Sequence, residues 1–161
     1  DTLRIINTTA TLPVGDFPTI DEAQADFGKA VETLNEARKN KPEDEVKLAV
    51  SNAKRAGFVL GNATRTADGP MAMPVQAIRI GPAALVAIPV EAFCEIGIAV
   101  KGASPAEQTL FSGYTNGYMG YMPMADNFEE GGYEVVTTPM AAGAAEETID
   151  VCTDAVQALW R

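Results

Sequence analysis

Residues 73–93, MPVQAIRIGPAALVAIPVEAF, contain two apolar stretches separated by Gly81-Pro82. The first, MPVQAIRI, alternates in a way that is typical of a half-buried strand. The second, AALVAI, is apolar throughout, which indicates a strand buried on both faces. Because Gly-Pro marks a turn, the two stretches predict a β-hairpin that leads directly into Pro89-Val90-Glu91.

The sequence on either side predicts one further long strand and four helices. Residues 3–12, LRIINTTATL, are rich in β-branched residues and predict a strand. Thr19 and Glu22 have the spacing of a capping box, and Pro42 suits the first turn of a second helix. We expect helices at about 20–39, 42–60, 92–104 and 143–160, and a short strand at 108–113. The predicted fold class is α+β, with a mixed β-sheet and flanking helices.

The 161 residues have the length of one domain, and we expect a single domain or a fragment of one. Its parts are a helical hairpin at about 19–62, a region at about 71–135 that holds the β-hairpin, Glu91 and a tyrosine-rich loop, and a C-terminal helix at about 143–160. The start, DTLRIINTT, has no initiator Met and no signal-peptide pattern, as expected of a processed product or fragment. No apolar run of about 18 residues predicts a membrane span.

Charge and composition exclude several functions. With 22 acidic and 12 basic residues the net charge is −10, which disfavours nucleic acid as a partner. The chain has no His, so it cannot by itself form a Ser-His-Asp or Cys-His site, and a zinc site would lack its usual nitrogen ligands. Cys94 and Cys152 lie among apolar or small residues, and we expect both to be buried free thiols.

Two features suggest chemistry. Glu91 follows a buried strand, where a carboxylate is costly unless it is paired or binds a metal; alternatively it caps the next helix. The segment 113–134, GYTNGYMGYMPMADNFEEGGYE, contains all four tyrosines of the chain. Long irregular segments are often binding loops, although a loop that is only packed by its own aromatic residues is also open.

These motifs occur in an order that resembles one enzyme family. The motifs are Pro89-Val90-Glu91, then Asn116-Gly117-Tyr118-Met119-Gly120-Tyr121, then Phe128-Glu129-Glu130, then Tyr133-Glu134. Over about residues 71–135 the chain resembles the neutral/alkaline, non-lysosomal ceramidase family, zinc amidases that cleave N-acylsphingosine. The resemblance implies the C-terminal part of a catalytic domain that hydrolyses an amide bond with a metal-activated water.

The resemblance also implies roles for individual residues. Glu91 and Tyr121 match zinc ligands, and Tyr133 matches the catalytic tyrosine that contacts the reacting amide. Tyr114 and Tyr118 are left as packing or pocket wall. The family usually has Gly where Val90 stands, so we expect a different turn before Glu91.

The family's two His ligands come from its N-terminal half, which implies that a His-bearing N-terminal segment or companion chain completes the zinc site. The chain alone is then inactive. A lipid-like N-acyl substrate and a secreted or periplasmic location are implied in the same way, with amide or ester substrates of short relatives as an alternative.

Two other classes of function are open. The chain could be a structural or assembly protein that keeps the amidase fold, with Glu91 as a helix cap and the tyrosine loop as an interface, for example in a homo-oligomer. Tyr and Met are both enriched at interfaces. It could also be a module that binds a lipid or small molecule behind the tyrosine loop without turning it over.

Overall fold

The computed structural model describes residues 2–161, which divide into two compact units. The first unit comprises the residues up to Gly15 together with Gly69–Arg161, and the second is Asp16–Asp68. The elements are β1 (Leu3–Leu12), α1 (Ile20–Asn40), α2 (Glu43–Arg65), β2 (Met71–Ile80), β3 (Ala83–Ala87), β4 (Glu91–Ala92), α3 (Cys94–Ala103), β5 (Gln108–Ser112), β6 (Tyr121–Met122), α4 (Asn127–Glu130), α5 (Tyr133–Thr137) and α6 (Ala144–Ala158).

The second unit is a pair of helices, α1 and α2. The capping box expected before α1 is confirmed: the Thr19 side chain accepts from the Glu22 N–H, and the Glu22 side chain accepts from the Thr19 N–H. Ala37 of α1 and Ala49 of α2 are buried. Phe58 of α2 is 37% exposed.

The first unit is built on a four-stranded sheet with the strand order β1-β2-β3-β5. β1 and β2 are antiparallel and pair from Leu3 opposite Ile80 to Leu12 opposite Met71. β2 and β3 form the predicted hairpin, in which Gly81 has a φ of +57°. β3 pairs with β5 in parallel. The sheet is therefore mixed and has flanking helices, which confirms the α+β class.

The core of this unit lies on one face of the sheet. α6 packs across β1 and β2, and α3 packs against α6 and β5. In β3 the side chains of Ala84 and Val86 point into this core, whereas Ala83 and Leu85 on the other face are only half-buried. The prediction that this strand is buried on both faces is confirmed at Ala87, which is 3% exposed, but is wrong at Ala83 and Leu85, because α3 and α6 pack on the opposite face.

Other predictions need smaller corrections. The helix expected at 92–104 begins at Cys94, because Glu91 and Ala92 are extended and pair with β6. Both cysteines are free as expected, but Cys94 is exposed and only Cys152 is buried. Among the helices that the structure describes, none combines the length and the apolar character needed to cross a membrane.

Candidate functional site

Residues 113–134, which we call the tyrosine segment, are held against the residues that follow β3 by a series of backbone hydrogen bonds. The Tyr114 and Thr115 N–H groups donate to the carbonyls of Val90 and Ile88, at 3.1 and 3.0 Å. The Met119 N–H donates to the Pro89 carbonyl at 2.6 Å. In return, the Glu91 N–H donates to the Gly120 carbonyl at 2.9 Å. The segment is irregular in periodicity but fixed in position.

Two glycines allow this close approach. A Cβ at Gly113 would lie 2.7 Å from the Val90 carbonyl oxygen, so only glycine fits there. Gly120 has a φ of +106°, and a Cβ there would lie 3.0 Å from Pro139 Cδ. Tyr114 itself has a φ of 54°, which is uncommon for an aromatic residue. Such backbone is often found at functional sites.

Glu91 does not cap the helix that follows it. The residue before α3 is Phe93, and no side chain caps the helix start. Glu91 instead lies in β4 and pairs in parallel with Tyr121 of β6. Paired residues of neighbouring strands point to the same face of a sheet, so the structure brings together the two residues that the sequence predicts as metal ligands.

The Glu91 carboxylate raises the pKa of two neighbouring phenols. Hydrogen bonding to Glu91, followed by burial, raises the pKa of Tyr114 to about 12. Burial, followed by hydrogen bonding to Glu91, raises the pKa of Tyr121. A carboxylate beside a phenol opposes formation of a second negative charge, so both tyrosines are protonated at neutral pH.

The other two tyrosines complete what we call the tyrosine–glutamate cluster: Glu91, Tyr114, Tyr118, Tyr121 and Tyr133. The Tyr118 ring stacks on Tyr114 with a centroid distance of 5.4 Å and an interplanar angle of 7°. The Tyr133 ring meets Tyr121 edge to face at 5.8 Å. Tyr133 is 58% exposed at the first position of α5, which leaves its ring accessible to a ligand.

Residues outside the cluster fix its backbone. The Thr138 hydroxyl donates to the Tyr121 carbonyl at 2.7 Å, and Thr138 is only 3% exposed. The Glu146 carboxylate accepts from the Ala125 N–H at 3.1 Å and so ties the loop after β6 to α6. Val90 is fully buried in the core. It therefore anchors the turn before Glu91, at the position where the resemblance led us to expect a different turn.

A cavity of about 380 Å³ opens beside Glu91 and Tyr114. Its lining also includes Phe93, Phe111 and Ile98, with Lys101 among the remaining residues. The cavity is thus mostly apolar, with a carboxylate and a phenol at its wall. Such a combination suits a ligand that has an apolar part and a polar group.

The chain by itself does not make a zinc site. Zinc sites use at least three protein ligands, and the chain has no His. Within residues 2–161, no three His, Cys, Asp or Glu side chains lie close enough together to hold a metal ion. Glu91 and Tyr121 are adjacent oxygen donors, and two such donors can belong to a larger set of metal ligands.

Sequence reasoning located most of this cluster but missed part of it. It singled out Glu91, Tyr121 and Tyr133, and the structure places all three together; whether they act as ligands and catalyst stays a prediction. It assigned Tyr114 to packing or pocket wall, and Tyr114 does line the cavity and stack on Tyr118. It did not predict that Glu91 raises the pKa of Tyr114. The only signal in the sequence was the preceding Gly113, and nothing indicated Thr138.

The comparison with solved structures finds the fold of this chain in bacterial ceramidases. Neutral ceramidase from Pseudomonas aeruginosa is similar over 56% of this chain, with 27% identity and a TM-score of 0.51. A ceramidase complexed with C2 is similar over the same share, with 26% identity and a TM-score of 0.52. The chain therefore has a ceramidase-like fold.

The similarity covers 15% of each of these two ceramidase chains. No protein-family model and no curated protein sequence matches the chain.

Proposed function

We propose that this chain is the C-terminal part of a zinc-dependent, ceramidase-like amidase whose site a His-bearing polypeptide completes. The observation that carries the proposal is the direct pairing of Glu91 with Tyr121 in β4 and β6. A carboxylate and a phenol on one face supply two oxygen donors and form one side of a metal site. The ceramidase-like fold supports the same conclusion.

Four residues of the cluster have a role in this proposal. Glu91 and Tyr121 hold the metal ion, and Tyr121 must lose its proton to do so. Tyr133, exposed next to Tyr121, donates a hydrogen bond to the carbonyl oxygen as it becomes an oxyanion. Tyr114 holds the Glu91 carboxylate in place through its hydrogen bond. When bound, zinc supplies the charge that activates a water molecule for attack on the amide.

The substrate that we propose has a lipid-like N-acyl group. The cavity beside Glu91 supports this, since Phe93, Ile98 and Phe111 offer it apolar surface within reach of the cluster. An extracytoplasmic location follows from the same resemblance. This chain alone supplies two donors and is expected to be inactive until the histidines are present.

The test is Tyr121→Phe in the completed enzyme. The phenol oxygen is removed while the ring that contacts Tyr133 remains, so folding should be nearly unchanged. We expect amide hydrolysis and bound zinc both to be lost, as measured by product release and by metal content per complex.

Tyr118→Phe is the matched control, because Tyr118 is 53% exposed and phenylalanine keeps the ring that stacks on Tyr114. This variant should keep both zinc and activity. An active, zinc-loaded Tyr121→Phe enzyme would contradict the proposed function.

A further inference from the structure

One face of the four-stranded sheet has no cover within the part of this chain that the structure describes. A row of side chains crosses all four strands on this face: Ile5, Ile78, Leu85 and Leu110 are successive register partners. Leu3 and Ile80 lie in the next row. We call these six residues the open face. Leu110 is 66% exposed, Leu3 67% and Ile80 64%.

The side of the sheet that holds the open face carries no charge, and its polar side chains are all neutral: Asn7, Thr9, Thr11, Gln76, Gln108 and Ser112. No Asp, Glu, Lys or Arg occurs at the positions whose side chains point to this side of the sheet. These positions are the odd residues of 3–11 and 83–87 and the even residues of 72–80 and 108–112. The whole chain, in contrast, is 21% charged. An apolar patch of this extent on a protein surface marks an interaction site. The apolar sequence of β3 supports the same conclusion, since strands that are apolar throughout are normally buried on both faces.

The position of the open face relative to the cluster indicates what covers it. β3 and β5 are parallel, so their carboxyl ends lie at the same end of the sheet. Four residues after β3 the chain reaches Glu91, and two residues after β5 it reaches Tyr114. Leu85 and Leu110 lie two residues before these ends, whereas Leu3 and Ile80 lie at the opposite end of the sheet. A polypeptide that covers the row of Leu85 and Leu110 and continues past these ends reaches the tyrosine–glutamate cluster.

A second copy of the chain fits the open face less well. It would bring another net charge of −10 toward an equal charge, and it would bring no histidine. The two similar ceramidases, in which the matching part is 15% of the chain, show this fold as part of a much longer polypeptide.

We infer that the open face is the docking surface for the His-bearing polypeptide, which presents an uncharged apolar face to Ile5, Ile78, Leu85 and Leu110. This inference rests on the proposed function and adds where its missing part binds. Docking on the sheet and completing the metal site are then one event.

The test compares two engineered thiols in a Cys94→Ser background. Leu110→Cys lies on the open face and Leu48→Cys on α2, and the two parent side chains are 66% and 62% exposed. A maleimide is the probe. It is applied to residues 1–161 alone and to the zinc-containing assembly, whose polypeptides are identified by native mass spectrometry.

Both thiols should react in residues 1–161 alone. In the assembly, labelling at Leu110→Cys should be lost while labelling at Leu48→Cys is retained, and the mass should include a His-bearing polypeptide. Unchanged labelling at Leu110→Cys in a zinc-loaded assembly overturns this inference and leaves the proposed function standing. Protection by a second copy, or a monomer that labels at both positions, also overturns it. Protection by a His-bearing polypeptide without zinc supports the docking and contradicts the proposed function.

Discussion

At the scale of single residues, the central fact is that one carboxylate faces two phenols. Glu91 pairs with Tyr121 and lines the same cavity as Tyr114, and it raises the pKa of both tyrosines. In the described chain these phenols keep their protons. A divalent cation has the opposite effect, because its charge stabilises the phenolate. If the proposed function holds, metal binding at this cluster releases a proton, and the metal affinity should rise with pH.

The first prediction concerns Glu91→Gln in residues 1–161. Removing the negative charge should move the pKa of Tyr114 from about 12 back toward its ordinary value of 10.0. An ultraviolet titration of tyrosinate absorbance measures this change. Because the folded pKa lies above the unfolded one, the stability that the hydrogen bond contributes is present below about pH 10 and is lost as pH rises through about 12.

Glu95→Gln is the control for this titration, since the Glu95 carboxylate contacts Cys94. It should leave the tyrosines unchanged and lower the pKa of the Cys94 thiol, which that carboxylate raises. If Glu91→Gln leaves the tyrosine titration unaltered, the hydrogen bonds to Glu91 are not present in solution.

At the scale of elements, the sequence predicted what depends on local pattern. β1, the β2–β3 hairpin and α6 follow from periodicity, and the capping box marks the start of α1. It did not predict the β4–β6 pair, because two residues carry no period and the pairing joins Glu91 to Tyr121, far apart along the chain. The sequence also predicted that both faces of β3 are buried. An apolar run indicates that a strand is buried, but it does not indicate whether this chain or another polypeptide buries it.

The second prediction tests the close approach of the tyrosine segment to the chain after β3. Gly113→Ala places a Cβ 2.7 Å from the Val90 carbonyl oxygen, where backbone must move. We expect a loss of about 1–3 kcal/mol in the free energy of unfolding, which is typical of overpacking. Denaturant unfolding measures it.

Gly102→Ala is the matched control for Gly113→Ala, because Gly102 lies in α3 and a Cβ added there would meet nothing within 4 Å. Alanine is the better helix former at this position, so this variant should gain roughly 0.5–1 kcal/mol of stability. Equal stabilities for the two variants would show that the approach at Val90 is looser than described.

At the scale of the whole molecule, the helical unit is inserted between two strands that pair along their full length. Leu12 lies opposite Met71, so the ends that flank Asp16–Asp68 emerge side by side from the sheet. The first unit has its own hydrophobic core, which lies between α6 and the sheet. Its folding should therefore not depend on the inserted residues.

The third prediction is a deletion of Asp16–Asp68 that joins Gly15 directly to Gly69. We expect the remaining chain to unfold in one cooperative transition by circular dichroism and to keep the raised pKa of Tyr114. Deleting α6 instead removes the helix that covers the sheet, and that chain should not fold. Loss of cooperative unfolding after the first deletion would show that the two units fold only together.

The contrast between the two thiols has a consequence for redox chemistry. Cys152 is fully buried, and burial raises the pKa of its thiol to about 12, so it is inert. Cys94 is exposed on the wall of the cavity beside Glu91. In an oxidising medium an exposed thiol forms mixed disulfides with small thiols. Such an adduct would occupy the cavity while the core stays intact, so ligand binding should depend on reductant even where stability does not.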